Sequence, residues 1–481
     1  MKNPSKWVIF ILVAIAQFMV VLDSAITNVA LPTIKQQLRF STANLQWVVT
    51  AYALTFGGFL LLGGRAADLF GRKRTLLFGM IGFTTISFLI GVNHSSTMLI
   101  TLRAIQGLAA AFMSPAALSI VLVTFRDGAD RNKALGYWSL VAAGGAAFGL
   151  LLGGMLTQYF GWRWNFFINV PIGIIMSALI ARIIPEHERE DTQSSLDLPG
   201  ALLVTSSLIL QVYAFSQATT WGWLSGKTIG VLGTAIALLI AFVINETHIS
   251  KPLMPLSLLR IRNVLGANVI MASVYATLLG SFFLLTLYIQ NVMHYSPVLT
   301  GVSFLPFPLT IAFMSMRMPK LVARFGFKRF LVMGPIFVAI GMFTFSLLHA
   351  GSSYWLGILP GAIITPLGMG MTFMPLIAAA TSGVPANQSG IASGLITTSQ
   401  QMGGALGLSI LSGIAASATA SSIHLGLAAA SIHGYHIAFL VSVGFLAFAA
   451  LIAALVVRSP KRTQVEIESR LHNPQLQSSL H

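Results

Sequence analysis

Long apolar runs separated by short polar breaks occupy most of this 481-residue chain. A helix that crosses the hydrocarbon core of a bilayer needs about 20 apolar residues, and these runs have that length. They fall at roughly 7–31, 45–64, 75–93, 97–124, 135–159, 164–184, 198–217, 228–246, 264–292, 299–318, 329–349, 354–378, 390–418 and 435–457, about fourteen candidate spans. None alternates apolar and polar positions, which excludes the ~10-residue strands of a membrane β-barrel. The pattern predicts an all-α polytopic membrane protein.

The longest strongly polar interior stretch runs from Glu186 to Ser195, directly after the sixth span. Its place predicts an N-terminal six-helix bundle over 1–184 and a charged cytoplasmic linker over 185–197. Two additional transmembrane helices and their loop follow over 198–263, then a C-terminal six-helix bundle over 264–458 and a cytoplasmic tail over 459–481. A weak internal repeat supports the two halves. Gly64 to Arg74, between spans 2 and 3, matches Pro319 to Arg329, between spans 10 and 11. Gly71 and Gly326 align with their basic neighbours, while Ala323 stands where the first copy has Asp68. Parallel half-repeats about an axis normal to the membrane are a transporter architecture.

Composition agrees: 56% of residues are hydrophobic and 8% charged, against about 25% charged in soluble domains. The net charge of +16 would suggest nucleic acid in a soluble protein, but its distribution is a topology signal. Arg72, Lys73 and Arg74 follow span 2; Arg126, Arg131 and Lys133 follow span 4; Arg260 and Arg262 follow span 8. Lys320, Arg324, Lys328 and Arg329 follow span 10, and Arg458, Lys461 and Arg462 follow span 14, whereas the alternate loops carry fewer cations. Lys/Arg excess marks the cytoplasmic side, so both termini are expected there, in an inner (plasma) membrane. Lys2 and Lys6 precede the first span as in a signal peptide, but the run is too long for one and lacks a clean cleavage site. It is expected to be retained.

With no cysteine, disulfides, thiolate metal sites and cysteine nucleophiles are excluded. The ten histidines, His94, His294, His433 and His436 among them, show no metal-ligand spacing, and no P-loop is present. No metal, no cofactor and no enzymatic activity are expected. The expected partners are the lipid bilayer, a small amphipathic substrate and protons, with no nucleic acid. The chain is expected to be a monomer, and nothing in it names a periplasmic accessory protein.

Asp23 is the most informative residue. Of 12 acidic residues, the other eleven, including Asp197 and Glu246, can be placed in or beside polar loops, while Asp23 lies deep in the run Trp7–Leu31. A charge there costs about 3 kcal/mol or more and is a functional site by default. A carboxylate loaded and unloaded with protons is a simple coupling device. Arg103 in span 4 is its candidate partner. Asp23 lies 8 residues before Leu31 and Arg103 lies 6 after Thr97, which puts each roughly 10 Å from the outer end of its helix. An adjacent arginine favours the ionised carboxylate and desolvation favours the neutral acid, so breaking the pair in one conformation would load or release a proton. Asn28, Gln106, Phe304, Phe307, Met369 and Met371 are candidates for a substrate cavity, methionine being adaptable, with helix packing the alternative. Gly145, Gly149 and Gly153 form one face of span 5 where backbones can approach closely.

Several segments resemble a known family. Gly64 to Leu76 is similar to the helix 2–3 signature of the major facilitator superfamily, and Leu102-Arg103-Ala-Ile-Gln106-Gly107 to its arginine-bearing motif. Leu22 to Pro32 and Trp162 to Gly173 resemble signatures of its 14-span drug:proton antiporters of the EmrB/QacA type. Leu150 stands where that family's span-5 motif has proline, and Gln400 where it often has arginine. The resemblance implies a major facilitator fold of two six-helix bundles plus two extra central helices, 14 transmembrane helices in all. It implies that Asp23 and Arg103 couple protons, and that Gly64, Arg65, Asp68, Gly71, Arg72 and Lys73, with Arg131, form a cytoplasmic conformational latch. The expected function is proton-coupled export of amphipathic or hydrophobic drugs, dyes or metabolites by alternating access. A proton symporter or uniporter importing a metabolite is the alternative on the same fold. A polytopic membrane enzyme or receptor is the alternative of a different class.

Overall fold

The computed structural model describes residues 5–125, 128–186, 197–249, 252–384 and 388–458. The N-terminal bundle consists of α1 (Lys6–Gln37), α2 (Trp47–Phe70), α3 (Arg72–Gly91), α4 (Ser96–Thr124), α5 (Gly128–Tyr159) and α6 (Asn169–Ile183). Two further helices, α7 (Leu198–Trp221) and α8 (Gly226–His248), follow. The second bundle is α9 (Arg262–Asn291), α10 (Pro306–Phe325), α11 (Phe327–Phe345), α12 (Leu359–Thr381), α13 (Ser389–Ser421) and α14 (Leu427–Leu455). Thirteen helices among the described residues are long and apolar enough to cross a membrane, and the 32-residue α5 lies beside them along α1. Most of the linker and the tail predicted after residue 458 fall outside the described residues.

Chain reversals are set locally by residues suited to them. Gly71 (φ 96°) separates α2 from α3, and Gly326 (φ 78°) separates α10 from α11. Only glycine enters that backbone region cheaply, so the two sequence repeats share one turn as well as their charges. Ser95 and Ser225 start α4 and α8 by accepting hydrogen bonds from the amides of Met98 and Thr228, satisfying donors that a helix start leaves open.

Small residues bring the helices close. A Cβ on Gly145 would meet Val21, one on Gly149 would meet Ala25, and one on Gly153 would meet Ile26. The register advances in the same direction on both helices, so α1 and α5 run parallel, with the Val21, Ala25 and Ile26 face of α1 pressed on the glycine stripe. Leu150, in the expected proline position, puts its carbonyl oxygen against Gly301 of the short helix Pro297–Ser303. That contact joins the two bundles.

Further ties between the bundles lie at the face remote from the described termini. Gln290 donates to the Val29 carbonyl (2.9 Å), and the Val298 amide donates to Gln158 (3.3 Å). Gln46 accepts from Ser412 of α13 and donates to Ser216 of α7 (3.0 Å). The extra helix α7 therefore lies across the junction, touching α2 at Thr205–Gly58 and α13 through the Ser409 hydroxyl on the Val212 carbonyl. The far face is closed.

Candidate functional site

Asp23 sits in the middle third of α1 with no solvent exposure. Its carboxylate accepts from three side chains on two other helices. Arg103 Nη1 donates to Oδ2 at 2.5 Å, while Gln106 Nε2 and Asn169 Nδ2 each donate to Oδ1 at 3.0 Å. Arg103 and Gln106 are three residues apart and so share one face of α4. Asn169 opens α6 from the opposite side. The pairing expected from helix depth is present.

The cation is held as firmly as the acid. Arg103 Nε donates to the Val48 carbonyl (3.0 Å), its second contact is Gln106 Oε1 (2.6 Å), and its guanidinium lies 4.4 Å from the centre of the Tyr52 ring. A guanidinium over an aromatic face in a dry site gains cation–π attraction. Gln106 also donates to Ser87 of α3 (2.8 Å), so five helices of the first bundle join in the network around this carboxylate. Such a network is stable only when its members are satisfied. Here Asn169 Oδ1 and the Tyr52 hydroxyl remain buried without a hydrogen-bond partner. Neutralising Asp23 would weaken the hydrogen bonds it accepts from α4 and α6.

The other predicted residues are placed as follows. Gln106 is fully buried in this cluster. Asn28 donates to the Ser24 carbonyl of its own helix (3.0 Å), and its Oδ1 is buried with no partner. Phe304 and Phe307 stack with Phe282 at ring distances of 5.1 and 4.7 Å inside the second bundle. Met371 packs with Met314, Met318 and Phe330, and Met369 lies in the main core. All four are buried among apolar neighbours in this state.

In the predicted latch, Arg72 lies 3.9 Å from Asp68 one helical turn back, and Lys73 donates to the Ala181 carbonyl (2.8 Å). Gly64 passes Pro115 and Gly71 makes the turn. Arg65 reaches outside the bundle to the Pro252 carbonyl (3.1 Å). Arg131 is exposed on the first turn of α5.

Two acids depart from expectation. Asp197 is fully buried and Glu246 is 4% exposed, although both read as loop residues in the sequence. The close α7–α8 pairing folds their two ends over one another, a tertiary effect that hydropathy does not encode. Sequence reading also did not single out Ser87 or Tyr52, neither of which has a local pattern that distinguishes it from ordinary helix packing.

A buried, fully donor-coordinated acid between helices of a two-bundle polytopic protein defines a membrane carrier of the major facilitator type. The chain belongs to the Major Facilitator Superfamily, whose family model matches residues 13–408. It is 37% identical to the puromycin resistance protein pur8 of Streptomyces alboniger, over 97% of this chain and 94% of that one. It is 37% identical to the cephamycin export protein CmcT of Amycolatopsis lactamdurans (88% and 87% covered), and 34% identical to the tetracenomycin C resistance and export protein of Streptomyces glaucescens (85% and 76%). Among solved structures it resembles the POT family transporter PepTSo, with a TM-score of 0.69 at 17% identity, covering 98% of this chain and 100% of that one. A bacterial homologue of the human lysosomal transporter Spinster gives a TM-score of 0.69 at 15% identity, covering 95% and 97%. At such identities the likeness is one of fold.

Proposed function

We propose that this protein is a proton-coupled antiporter of the inner (plasma) membrane that exports amphipathic or hydrophobic drugs, dyes or metabolites. The observation that carries the reading is the Asp23 carboxylate, buried with three donors and tied to Arg103. The names of its relatives, which include resistance and export proteins, supply the substrate class and the direction.

The basic loops put both termini in the cytoplasm, so the closed face of the structure is the outer one. In this state, closed on the outer face, Asp23 is held by a guanidinium and two amides, a donor set suited to the ionised carboxylate. That is the state after a proton has been released inward. Opening outward separates Asp23 from Arg103, and an outside proton then replaces the lost donor. Loading neutralises the acid, which lets the bundles rock back after the substrate has left. Substrate enters from the cytoplasm or inner leaflet between the two bundles. No residue of this cycle forms a covalent bond with the cargo.

The test is transport in inverted membrane vesicles with an imposed pH gradient, across a panel of lipophilic dyes and antibiotics. Accumulation that requires a gradient acid inside the vesicle supports antiport. Accumulation driven by the opposite gradient would make the protein a symporter.

A further inference from the structure

Asp197 and Glu246 meet at the ends of α7 and α8, on the same face of the molecule as the latch residues. Both side chains are buried. A Cβ on Gly200 would stand 2.8 Å from Glu246 Oε1 and closer still to Asp197 Oδ2, so the two carboxyls face one another over a residue that has no side chain.

Their hydrogen-bond partners are unequal. Asp197 Oδ1 accepts from the Gly200 amide at 2.9 Å, and Asn245 Nδ2 donates to both Asp197 oxygens at 3.0 and 3.1 Å. Glu246 Oε2 accepts from the Met254 amide at 2.8 Å, and the Leu253 backbone amide also donates to the pair. Glu246 Oε1 is buried and finds no donor among the described residues. A carboxylate oxygen in that position, aimed at a second carboxylate, is costly. Two acids in one dry site share a proton because both cannot ionise together. Donor supply assigns the charge to Asp197 and the proton to Glu246 Oε1, which then needs no donor because it donates to Asp197. Burial alone would raise the Asp197 carboxyl, yet the hydrogen bonds it accepts, one from Glu246, hold it below the usual carboxylate range.

The pair also holds a strap. Met254 is tied to Glu246, and two residues earlier the Pro252 carbonyl is tied to Arg65 of α2. Among the described residues few other charges face it. The first turn of α7 carries no acid, and His248 on α8 turns to the Ile244 carbonyl (2.8 Å). Among the described residues Arg65 is the cation directed at the strap, and it acts through the Pro252 carbonyl.

We propose that Asp197 and Glu246 form a second proton-binding site, separate from Asp23, which clamps residues 252–254 to α2 while it holds one proton. Loss of the proton leaves two facing carboxylates, whose repulsion lifts the strap and frees Arg65. The clamped state binds one proton more than the open state, so clamping is complete at low pH and is lost as pH rises. Because Arg65 lies in the latch segment, the site reports the pH of that face to the helix 2–3 turn.

The test needs neither transport nor a known substrate, so its outcome is independent of the proposed export function. The chain has no cysteine, so a single cysteine can replace Met254, with Ser257→Cys, at an exposed position of the same loop, as the reference. Maleimide labelling of the full-length protein in detergent is measured from about pH 6 to about pH 9, as the ratio of the two rates. The ratio should climb with pH, by up to about tenfold per unit for a one-proton switch. Glu246→Gln keeps the clamp without a titrating proton and should give a low, flat ratio. Asp197→Asn, which removes the second carboxylate while retaining an N-cap, should flatten it as well. A flat ratio in the Met254→Cys protein, or an unchanged slope in both variants, would overturn the proposal.

Discussion

Arg103 donates to the Asp23 carboxylate at 2.5 Å with both side chains sealed from solvent. The pair joins α1 to α4 across 80 residues of sequence, and Gln106, Asn169 and Tyr52 surround it with groups that depend on its charge. A buried ion pair is a poor source of net stability, since desolvation offsets most of its attraction. In the proposed cycle its value is as a switch whose two states differ by a proton.

Arg103→Ala removes the cation that favours ionised Asp23. The buried carboxylate is then left with the two amide donors alone, an uncompensated charge in a dry site. The pH profile of efflux should change, and efflux at neutral pH should fall by at least about tenfold, the scale of one charged hydrogen bond. Substrate binding without a gradient need not fall in parallel. An unchanged profile with binding lost would place Arg103 in the substrate path instead.

Asn169→Ala takes one donor from Asp23 Oδ1 and should cost about 1.5–3 kcal/mol of network stability. Thermal unfolding of the purified protein checks this, and Asn169→Asp should be worse than Ala because it places a second acid against the first.

Gly149→Val forces side-chain atoms into α1, since even a Cβ there would lie 2.7 Å from the Ala25 Cβ and 3.0 Å from the Leu22 carbonyl. Overpacking of this kind costs about 1–3 kcal/mol and should lower the melting temperature. Gly144→Val on the same helix, where nothing lies within 4 Å of a Cβ, should leave it nearly unchanged.

Single cysteines at Ser95, Ser225 and Ser352 should react with an impermeant maleimide from outside intact cells, and one at Ser257 only after permeabilisation. Outside labelling at Ser257 would reverse the proposed orientation.

The helices were legible because bilayer spans are written in long apolar runs, and the Asp23–Arg103 pair because helix rise converts residue offsets into depth. Gly71 and Gly326 were legible as a repeat, and their shared positive φ explains why glycine recurs there. What stayed hidden depends on side faces. Ser87 and Tyr52 join the site only through the rotation of α3 and α2, which a run of hydrophobic residues leaves undefined. Phe304, Phe307, Met369 and Met371 were ambiguous for the same reason, because an apolar side chain suits a pocket or a core equally well. Asp197 and Glu246 sit at run ends, where acids are ordinarily solvated, and only the α7–α8 pairing buries them.

The coupling role of Asp23 is tested most directly by Asp23→Asn reconstituted in vesicles with an imposed pH gradient. The amide preserves shape but cannot take up and release a proton. Gradient-driven substrate accumulation should be abolished while the protein still inserts and still binds substrate at equilibrium. Accumulation against a gradient at the wild-type rate would contradict the account and leave Asp23 a structural acid.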